Sequence, residues 1–309
     1  MQRPGPHVRV RVRCPATSAN LGPGFDALGL ALALHNEVDA VTTGGGLQVS
    51  VTGEGAGALP TDADNLVARS AATAFDRLGR RPAGLRLSCT NGIPLARGLG
   101  SSAAAIVAGV GVAYALTHPR SELDRAWVLE TAAAIEGHPD NVAACVLGGA
   151  TVGWLDDAGM ASAVRLEPHP DLVATALVPA DGASTSAARA LLPPAVPHAD
   201  AAHAAGRAAL LVAAITVRPD LLLAATEDRL HQRYREPAMP ATLDLVARLR
   251  ASGSAAVLSG AGPSVLVLHT APNQPFGDLG LSGRALPPGW QVVHLELDRG
   301  GVAATIRQE

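Results

Sequence analysis

The sequence predicts an α+β protein built in two halves. Three observations predict this class: strand-like alternation opens the chain, segments with helical spacing follow it, and strand patterns return from about residue 150. A chain of 309 residues is long enough for two domains of ordinary size. Hydrophobic residues make up 48% of it and aromatic residues only 3%, so Ala, Val and Leu must fill the core. Side chains this small favour helices that pack closely on sheets.

The first half opens with strands. Residues 7–14, HVRVRVRC, alternate apolar and polar side chains in the manner of a half-buried strand. The sequence SELD at 121–124 predicts a capping box at the start of a helix. The other elements predicted here are strands at 37–43, 47–53 and 84–90 and helices at 64–78 and 123–135.

The second half contains strands and helices in a similar mixture. The turn sequence DDAG at 156–159 marks the predicted boundary, which divides the chain into domains 1–155 and 156–309. The predicted elements are strands at 150–154, 171–179 and 290–298, two strands with a tight connection within 255–268, and helices near 184–192, 199–217 and 241–251.

Charge and composition exclude several kinds of partner. The net charge is −3 with both signs interspersed, so we expect neither nucleic acid nor a membrane surface as a partner. The first residues alternate Val and Arg without an apolar h-region, and the longest apolar run, 103–116, is too short to span a bilayer, so we expect a soluble protein that is not exported. Cys14, Cys89 and Cys145 are odd in number and widely spaced, which supports neither a disulfide framework nor a zinc site. A reducing cytoplasm fits these features best.

All the basic residues are arginine, and the chain contains no lysine. This excludes the phosphate-binding lysine of a Walker A loop, a Schiff-base lysine and a lysine general base. Several classes of enzyme are excluded by this one feature.

A glycine- and serine-rich corner precedes the alanine-rich run. In ARGLGSSAAA, residues 96–105, a helix that starts at Ser101 or Ser102 leaves its first amide protons unpaired, and Gly98 and Gly100 let an anion approach the backbone. That geometry binds phosphate, and a serine hydroxyl there either caps the helix or binds Mg²⁺. Taken alone, such a corner is more often a simple capping turn.

Two further stretches are rich in small residues. SGAGPSVLVL, 259–268, is a turn between two apolar strands, for which an ordinary hairpin is the simpler interpretation. ATSANLGPGFDALGLAL, 16–32, is predicted to be a long irregular loop that contains Asp26. Long loops in compact domains are more often functional or disordered than neutral, and the apolar residues of this one argue against disorder.

A fourth stretch, AIEGHPDN at 134–141, ends a predicted helix. Glu136 sits in the last turn, where the helix dipole disfavours an exposed carboxylate by about 0.3–1 kcal/mol, so a nearby cation such as Mg²⁺ would explain it. An equally simple interpretation is a solvent-facing glutamate followed by a glycine cap and a proline stop. His138 would then be an ordinary surface histidine.

These four stretches occur in the order and spacing of one family. The chain resembles the GHMP small-molecule kinases in three motifs, 16–32, 94–104 and 258–268, and the similarity covers nearly its whole length. SANLGPGFDALGLAL and EGHPDNVA are similar to the homoserine kinase versions of their motifs, which are more specific than the widely shared GLGSSAA. The resemblance implies a two-domain GHMP kinase fold, with a ribosomal-protein-S5-like N-terminal half, a ferredoxin-like C-terminal half and ATP between them.

The implied reaction is transfer of the γ-phosphoryl group of MgATP to the side-chain hydroxyl of L-homoserine, a step toward threonine. The resemblance implies Ser102 and Glu136 as the Mg²⁺ ligands. Arg97 either touches phosphate or, as we expect, is a solvated side chain. The residues implied to bind the nucleotide are Asn65, Pro94, Leu95, Ala96, Arg97, Gly98, Leu99, Gly100, Ser101, Ser102, Ala103 and Ala104.

Homoserine carries an ammonium, a carboxylate and a hydroxyl group, so its site needs an anion, guanidinium groups and polar groups. By the resemblance, Asp26 would hold the ammonium group, and Arg189 and Arg235 would hold the carboxylate. Without the motif context, both arginines would count as exposed cations at helix ends. The full implied substrate set is Asn20, Asp26, His138, Thr185, Arg189, Arg235, Gly260 and Gly262, with Asn20, His138 and Asn141 at the hydroxyl end.

Phosphoryl transfer needs alignment and charge neutralisation more than a strong base. We therefore expect the metal ion, the loop amides and Asn141 to supply most of the catalytic stabilisation. The alternative is that Asp140 acts as a general base, as an aspartate near this position does in relatives.

Other functions on this fold are disfavoured. Mevalonate kinase and galactokinase have different first motifs, and the usual lysine of the former is absent. A non-catalytic nucleotide or metabolite sensor would not need the complete phosphate loop and both metal ligands. Relatives are often dimers, which leaves a homodimer open.

Overall fold

The computed structural model describes residues 8–270, 286 and 288–308, and its two sheets with packed helices confirm the predicted α+β class. His7, the first residue of the predicted opening strand, lies outside the described residues. Seven strands form the first sheet and four form the second. Across the described parts of the chain, no helix is both long enough and apolar enough to span a bilayer.

The first sheet is assembled from both ends of the chain. Its strands are β1 (Val8–Ala19), β2 (Leu28–Thr43), β3 (Gly46–Gly53), β4 (Gly84–Asn91), β5 (Ala150–Leu155), β6 (Ala161–Leu166) and β11 (Ala303–Gln308). They lie in the order β11–β1–β2–β4–β3, with β5 beside β2 and β6 beside β5. β3 and β4 run parallel, and the other pairs are antiparallel. The alternation predicted for β1 is confirmed, since Val10, Val12 and Cys14 are buried while Arg11 and Arg13 are exposed.

Four helices share the core of this sheet. They are α1 (Leu66–Leu78), α2 (Ser101–Thr117), α3 (Arg125–Glu136) and α4 (Asp140–Leu147). The alanines and glycines of α2 allow its neighbours to approach closely, because a Cβ on Gly109 would lie 2.4 Å from the Val67 carbonyl oxygen of α1. α1 ends at Leu78 and is capped by Gly79, whose φ of 63° suits glycine.

The second sheet lies in the order β10–β7–β9–β8 and is antiparallel throughout. Its strands are β7 (Val173–Val178), β8 (Ala255–Leu258), β9 (Val265–His269) and β10 (Gln291–Leu295). The accompanying helices are α5 (Thr185–Ala190), α6 (His198–Thr216), α7 (Leu222–Ala225) and α8 (Pro240–Ala251), with 3₁₀ turns at Pro219–Leu221 and Arg233–Ala238. The predicted hairpin is confirmed, with the loop 259–264 joining β8 to β9.

Three details differ from the sequence-based expectations. β1 continues to Ala19 and β2 begins at Leu28, so the irregular loop is confined to 20–27. The cap of α3 is Asp124, which accepts a 3.0 Å hydrogen bond from the Trp127 amide, so the predicted capping box at 121–124 is wrong and the helix begins at Arg125 instead of residue 123. The turn at 156–159 joins β5 to β6 within the first sheet, which therefore crosses the proposed boundary. The division into domains 1–155 and 156–309 stays a prediction.

Candidate functional site

Four connecting segments meet beside the N-terminus of α2. They are the glycine loop (92–100), the Asp26 loop (20–27), the α3–α4 corner (137–139) and the β8–β9 loop (259–264). The Ser259 hydroxyl donates to the Gly98 carbonyl at 2.7 Å, and the Asn20 side chain donates to the Gly260 carbonyl at 3.0 Å. The four stretches singled out in the sequence are thus brought together in space.

The glycine loop is shaped by its neighbours as well as by any ligand. Gly98 and Gly100 have φ values of 73° and 68°, and a Cβ on Gly98 would lie 2.2 Å from the Ser259 carbonyl oxygen. A Cβ on Gly100 would lie 1.9 Å from the Thr17 hydroxyl oxygen. Gly100 is the N-cap of α2, and no side chain in the described part of the chain caps this helix, so the interpretation of the serines as helix caps is wrong. The first amides of a 17-residue helix are therefore available to an anion.

Ser102 and Glu136 were predicted to act together, and they are in contact. The Ser102 hydroxyl donates to Glu136 Oε2 at 2.9 Å. Burial raises the pKa of the Glu136 carboxyl, against the opposing effects of Ser102 and His138, and the residue stands at the C-terminus of α3, where the helix dipole also disfavours its negative charge. A cation between these two oxygens would relieve both effects.

The two oxygens match the preference of Mg²⁺ for hard ligands. Mg²⁺ is commonly held by one or two protein oxygens and completes its coordination with water and substrate phosphates. Among the residues that the structure describes, there is no group of three or more His, Cys, Asp or Glu side chains that could hold a metal ion. A cation here would therefore depend on ligands from the substrate.

The N-terminus of α4 carries a connected set of polar side chains. Asp140 is buried, and its Oδ1 accepts from the Asn141 amide at 2.7 Å and lies 2.7 Å from His138 Nδ1. The hydrogen bond to Asp140 raises the pKa of His138. Thr17, which sequence reasoning did not select, is fully buried and donates to Asn141 Oδ1 at 2.8 Å. Thr17 therefore fixes the orientation of the Asn141 amide.

Asp26 and Arg189 come from different halves of the chain and are bonded directly to each other. Asp26 has a φ of 56°, and its amide donates to Asn20 Oδ1 at 2.9 Å, which holds the loop in this unusual conformation. Burial raises the pKa of Asp26, although Arg189 opposes the shift. The guanidinium of Arg189 also lies 5.7 Å from the centroid of the Phe25 ring. Phe25 was not predicted to take part in the site.

Arg235 is a buried cation on which the Asp228 and Asp26 carboxylates act from beyond ion-pair distance. Only 2% of it is exposed, its Nη1 donates to the Gly260 carbonyl at 3.0 Å, and its Nε has no hydrogen-bond partner. No carboxylate oxygen of the described residues lies within the 4.0 Å of an ion pair with it. Burial accordingly lowers its pKa. An unpaired buried guanidinium is costly, so the position favours binding of an anion.

His231 is another residue that sequence reasoning did not select. It is fully buried, its Nε2 donates to the Gly22 carbonyl at 2.8 Å, and its ring stacks on Phe25 with centroids 5.0 Å apart. Burial lowers the pKa of His231 to about 4, so it is neutral at physiological pH. It joins the turn before Arg235 to the Asp26 loop. A lone histidine in a loop carries no sequence pattern that would reveal this contact.

A cavity of about 380 Å³ opens between these groups. It also brings in Trp154 and Leu155 at the end of β5, which were not predicted and are about half exposed. Its lining residues are Asp26, Glu136, Gly137, His138, Pro139, Trp154, Leu155 and Arg189. A separate cavity of about 500 Å³ lies along α1 and shares none of these residues.

The other predicted residues occupy varied positions. Asn65 caps α1 by accepting from the Val67 amide at 3.0 Å. Arg97 is not simply solvated, because it donates to the carbonyl oxygens of Leu95, Pro179 and Ala180 and so ties the glycine loop to the end of β7.

The remaining predicted residues divide by exposure. Thr185 is exposed in the same turn-and-a-half helix as Arg189, four residues before it. Gly262 packs against Met239 and Leu258. Leu99, Ala103 and Ala104 are buried in the core, whereas Pro94, Leu95, Ala96 and Ser101 are at least partly exposed. The three core residues offer a ligand only their backbone.

Comparison with known proteins identifies close relatives. Residues 65–149 match the family model described as the GHMP kinases N terminal domain. Homoserine kinase of Streptomyces avermitilis is 54% identical over 295 residues, 95% of each chain. Homoserine kinase of Streptomyces coelicolor is 57% identical over 263 residues, 85% of each chain.

Solved structures agree with these relatives. The crystal structure of homoserine kinase from Cytophaga hutchinsonii has a TM-score of 0.82 and 28% identity, and covers 96% of this chain and 97% of its own. Mevalonate kinase of L. major, solved in complex with R-mevalonate, has a TM-score of 0.66 and 15% identity, and the match covers 92% of this chain and 94% of the mevalonate kinase chain. At that identity the second likeness concerns the fold alone.

Proposed function

The chain belongs to the homoserine kinases of the GHMP kinase family, and from this membership we propose that it transfers the γ-phosphoryl group of ATP to the side-chain hydroxyl of L-homoserine. The product is O-phospho-L-homoserine, an intermediate of threonine biosynthesis. The substrate is a small molecule, and the same proposal places the enzyme in the cytoplasm with no nucleic acid or membrane partner. We also propose that the enzyme forms a homodimer.

The proposal for the acceptor rests on the buried guanidinium of Arg235, which forms no ion pair with any residue that the structure describes. A substrate carboxylate would supply the missing anion, with Arg189 as a second donor. Asp26 lies against Arg189 and would receive the substrate ammonium group. A zwitterionic amino acid presents these two charges side by side, as neither a sugar nor mevalonate does.

The glycine loop and α2 supply the phosphate site in this proposal. The uncapped amides at the N-terminus of α2 can bind a phosphate group without the help of a lysine, and this chain contains no lysine. Ser102 and Glu136 would hold Mg²⁺, since their adjacent oxygens fit its ligand preference. When bound, Mg²⁺ neutralises phosphate charge during the transfer.

The residues around α4 position the acceptor hydroxyl. Thr17 holds the Asn141 amide, and Asp140 holds both His138 and the Asn141 backbone, so the set is rigid before the substrate arrives. Asp140 Oδ1 is already engaged by these two donors. We therefore assign Asp140 to positioning and Asn141 to contact with the reacting hydroxyl, with no general base required.

A coupled ADP-release assay tests the proposal. The purified chain is given ATP and L-homoserine, mevalonate, galactose or shikimate, each with and without Mg²⁺. Turnover is expected with L-homoserine alone and only with Mg²⁺. Turnover of another acceptor would contradict the substrate assignment, and ATP binding without turnover of any acceptor would support a sensor instead.

A further inference from the structure

The β5–β6 hairpin exposes large apolar side chains beside the proposed acceptor site. Within the parts of the chain that the structure describes, eight large apolar side chains are exposed, and four of them lie on this hairpin. They are Trp154, Leu155, Met160 and Val164, each about half exposed. A cluster of this kind on a protein surface usually marks contact with a ligand or a partner. Of the four, Trp154 and Leu155 line the 380 Å³ cavity, so a ligand in the cavity would cover these two.

The backbone of β5 determines where these two side chains stand. The Gly153 amide donates to the Ala27 carbonyl of the Asp26 loop at 2.8 Å. A Cβ on Gly153 would lie 3.2 Å from Pro139 Cβ, so the strand passes close to the α3–α4 corner. Trp154 and Leu155 follow Gly153 directly. The two residues therefore stand beside both the Asp26 loop and the α3–α4 corner, in a position that the backbone hydrogen bond to Ala27 holds before any substrate arrives.

The lining of the cavity combines charged groups with an apolar wall. Asp26, Glu136 and Arg189 contribute two carboxylates and a guanidinium, whereas Trp154 and Leu155 are its two large apolar side chains. This inference rests on the proposed function, in which Asp26 and Arg189 hold the charged end of L-homoserine and Glu136 belongs to the metal site at the hydroxyl end. Two methylene groups of the substrate lie between those ends. Methylene groups gain free energy when apolar side chains remove them from water.

We propose that Trp154 and Leu155 are specificity-determining residues, which pack against the two methylene groups of the substrate and exclude water from the γ-phosphoryl group. Water competes with the substrate hydroxyl as an acceptor. In that side reaction a water oxygen bonds to the γ-phosphorus, the bond to the bridging oxygen of ADP breaks, and ADP, inorganic phosphate and a proton are released. Apolar side chains over the bound substrate offer this water few hydrogen bonds, which disfavours the side reaction.

Separate measurement of the two products of one reaction tests this inference. ADP and O-phospho-L-homoserine are quantified with MgATP and L-homoserine for the unaltered chain, Trp154→Ala and Leu155→Ala. The unaltered chain is expected to form the two in equal amounts. Each variant is expected to raise the KM for L-homoserine about tenfold and to release at least about twice as much ADP as O-phospho-L-homoserine. Val164→Ala is the matched control and is expected to behave as the unaltered chain, because Val164 is equally exposed on the same hairpin but does not line the cavity.

A binding experiment separates contact with the substrate from an indirect effect on folding. L-Homoserine is added together with MgADP, and the fluorescence of Trp154 is expected to shift to shorter wavelength as its ring leaves water. Trp154→Phe is expected to lose this shift, and Trp127→Phe to retain it, because Trp127 packs against Tyr114 away from the cavity.

The outcomes distinguish this inference from the proposed function. An absent fluorescence shift, or an unchanged KM with equal product amounts in both alanine variants, would overturn the inference while the unaltered chain still phosphorylates L-homoserine. If the unaltered chain forms no O-phospho-L-homoserine, the proposed function is wrong and this inference is wrong with it.

Discussion

The Arg189 guanidinium donates a hydrogen bond to the Asp26 carboxylate, although the two residues lie on opposite halves of the chain. Both side chains are more than one-third exposed, and such ion pairs contribute about 0–1 kcal/mol to stability. Little free energy is therefore lost when a zwitterionic substrate inserts its ammonium beside Asp26 and its carboxylate beside Arg189. The pair is a preformed counterpart to the charges of an amino acid.

Asp26→Asn is expected to raise the KM for L-homoserine by about 100-fold, because the substrate ammonium loses its charged partner. The KM for ATP is expected to change less than twofold. Steady-state kinetics with each substrate varied in turn measures both. Asp220→Asn is the control, since Asp220 also pairs with an arginine, Arg218, but lies on the exposed surface away from the site. An equal rise in both KM values would contradict an ammonium-binding role.

Arg235→Met is expected to lose activity and gain stability. The buried guanidinium forms no ion pair with the described residues, so removing its charge is expected to raise the free energy of unfolding by about 1 kcal/mol or more. The KM for L-homoserine is expected to rise at least 100-fold, because the carboxylate loses its buried donor. Chemical denaturation and kinetics measure the two effects on the same preparation.

Arg250→Met provides the contrast. Arg250 is also partly buried, but it donates to the carbonyl oxygens of Leu223 and Ala256 and to Thr226 Oγ1. Its removal is expected to destabilise the fold and to leave the KM for L-homoserine unchanged. If Arg235→Met were instead the more destabilising of the two, its guanidinium would be structural.

The residues of the matched motifs could be predicted to lie in one site, but most of the individual hydrogen bonds that position them could not. Ser102 and Glu136 are 34 positions apart, yet their pairing follows from the resemblance because both belong to matched motifs. Thr17 and His231 act through single buried hydrogen bonds, for which neither spacing nor periodicity gives a signal. For Arg97 the sequence signal was misleading. A basic residue beside a phosphate loop is expected to contact solvent or phosphate, whereas the Arg97 guanidinium donates to backbone carbonyl oxygens.

The same limit applies to the fold. Strand alternation was clear where one face meets solvent, as in β1, and the two sheets were therefore predictable in outline. α4 was hidden because it is short and follows directly on Pro139, which was interpreted as a helix stop. β11 pairs with β1 from nearly 300 residues away, and local patterns carry no information about such pairing.

Glu136→Gln is expected to raise the Mg²⁺ concentration for half-maximal activity at least tenfold and to lower kcat by about 100-fold, because one of two metal oxygens loses its charge. Glu130→Gln is the control, because Glu130 lies on the same helix as Glu136 but is bonded to Arg77 of α1. Titration of ADP release with Mg²⁺ measures the effect. Unchanged Mg²⁺ dependence would remove Glu136 from the metal site.

The same substitution has a predictable pH signature in the metal-free protein. Burial raises the pKa of Glu136, so the folded state binds its proton more tightly than the unfolded state does. The contribution of Glu136 to the free energy of unfolding is therefore largest below the ordinary pKa of glutamate. It falls as the pH rises from that pKa through the raised pKa of the folded state. Glu136→Gln is expected to remove that part of the pH dependence in denaturation experiments.

Asp140→Asn and Asn141→Ala separate the two catalytic assignments. If catalysis needs no base, Asn141→Ala is expected to lower kcat by about 100-fold and Asp140→Asn by about tenfold or less, since the amide retains one acceptor for His138. Single-turnover kinetics measures the chemical step directly. A fall of several orders of magnitude in Asp140→Asn with a mild effect in Asn141→Ala would identify Asp140 as the base.

His231→Phe is expected to loosen the Asp26 loop without touching the substrate. The substitution preserves an aromatic ring against Phe25 but removes the hydrogen bond to the Gly22 carbonyl. The KM for L-homoserine is expected to rise about tenfold, with kcat and the KM for ATP nearly unchanged. His118→Phe is the control, because His118 also stacks on an aromatic ring, that of Tyr114, away from the site.

The titration of His231 supplies an independent check. Its pKa is about 4 in the folded protein against 6.5 in the unfolded chain, so between these values the unfolded state binds more protons. The unfolding free energy of the unaltered chain is therefore expected to fall as pH decreases from 6.5 to 4, and His231→Phe is expected to lose that part of the decrease. If the unfolding free energies of the unaltered chain and of His231→Phe had the same pH dependence, His231 would not be buried in its neutral form. The proposed link between His231 and the Asp26 loop would then be wrong.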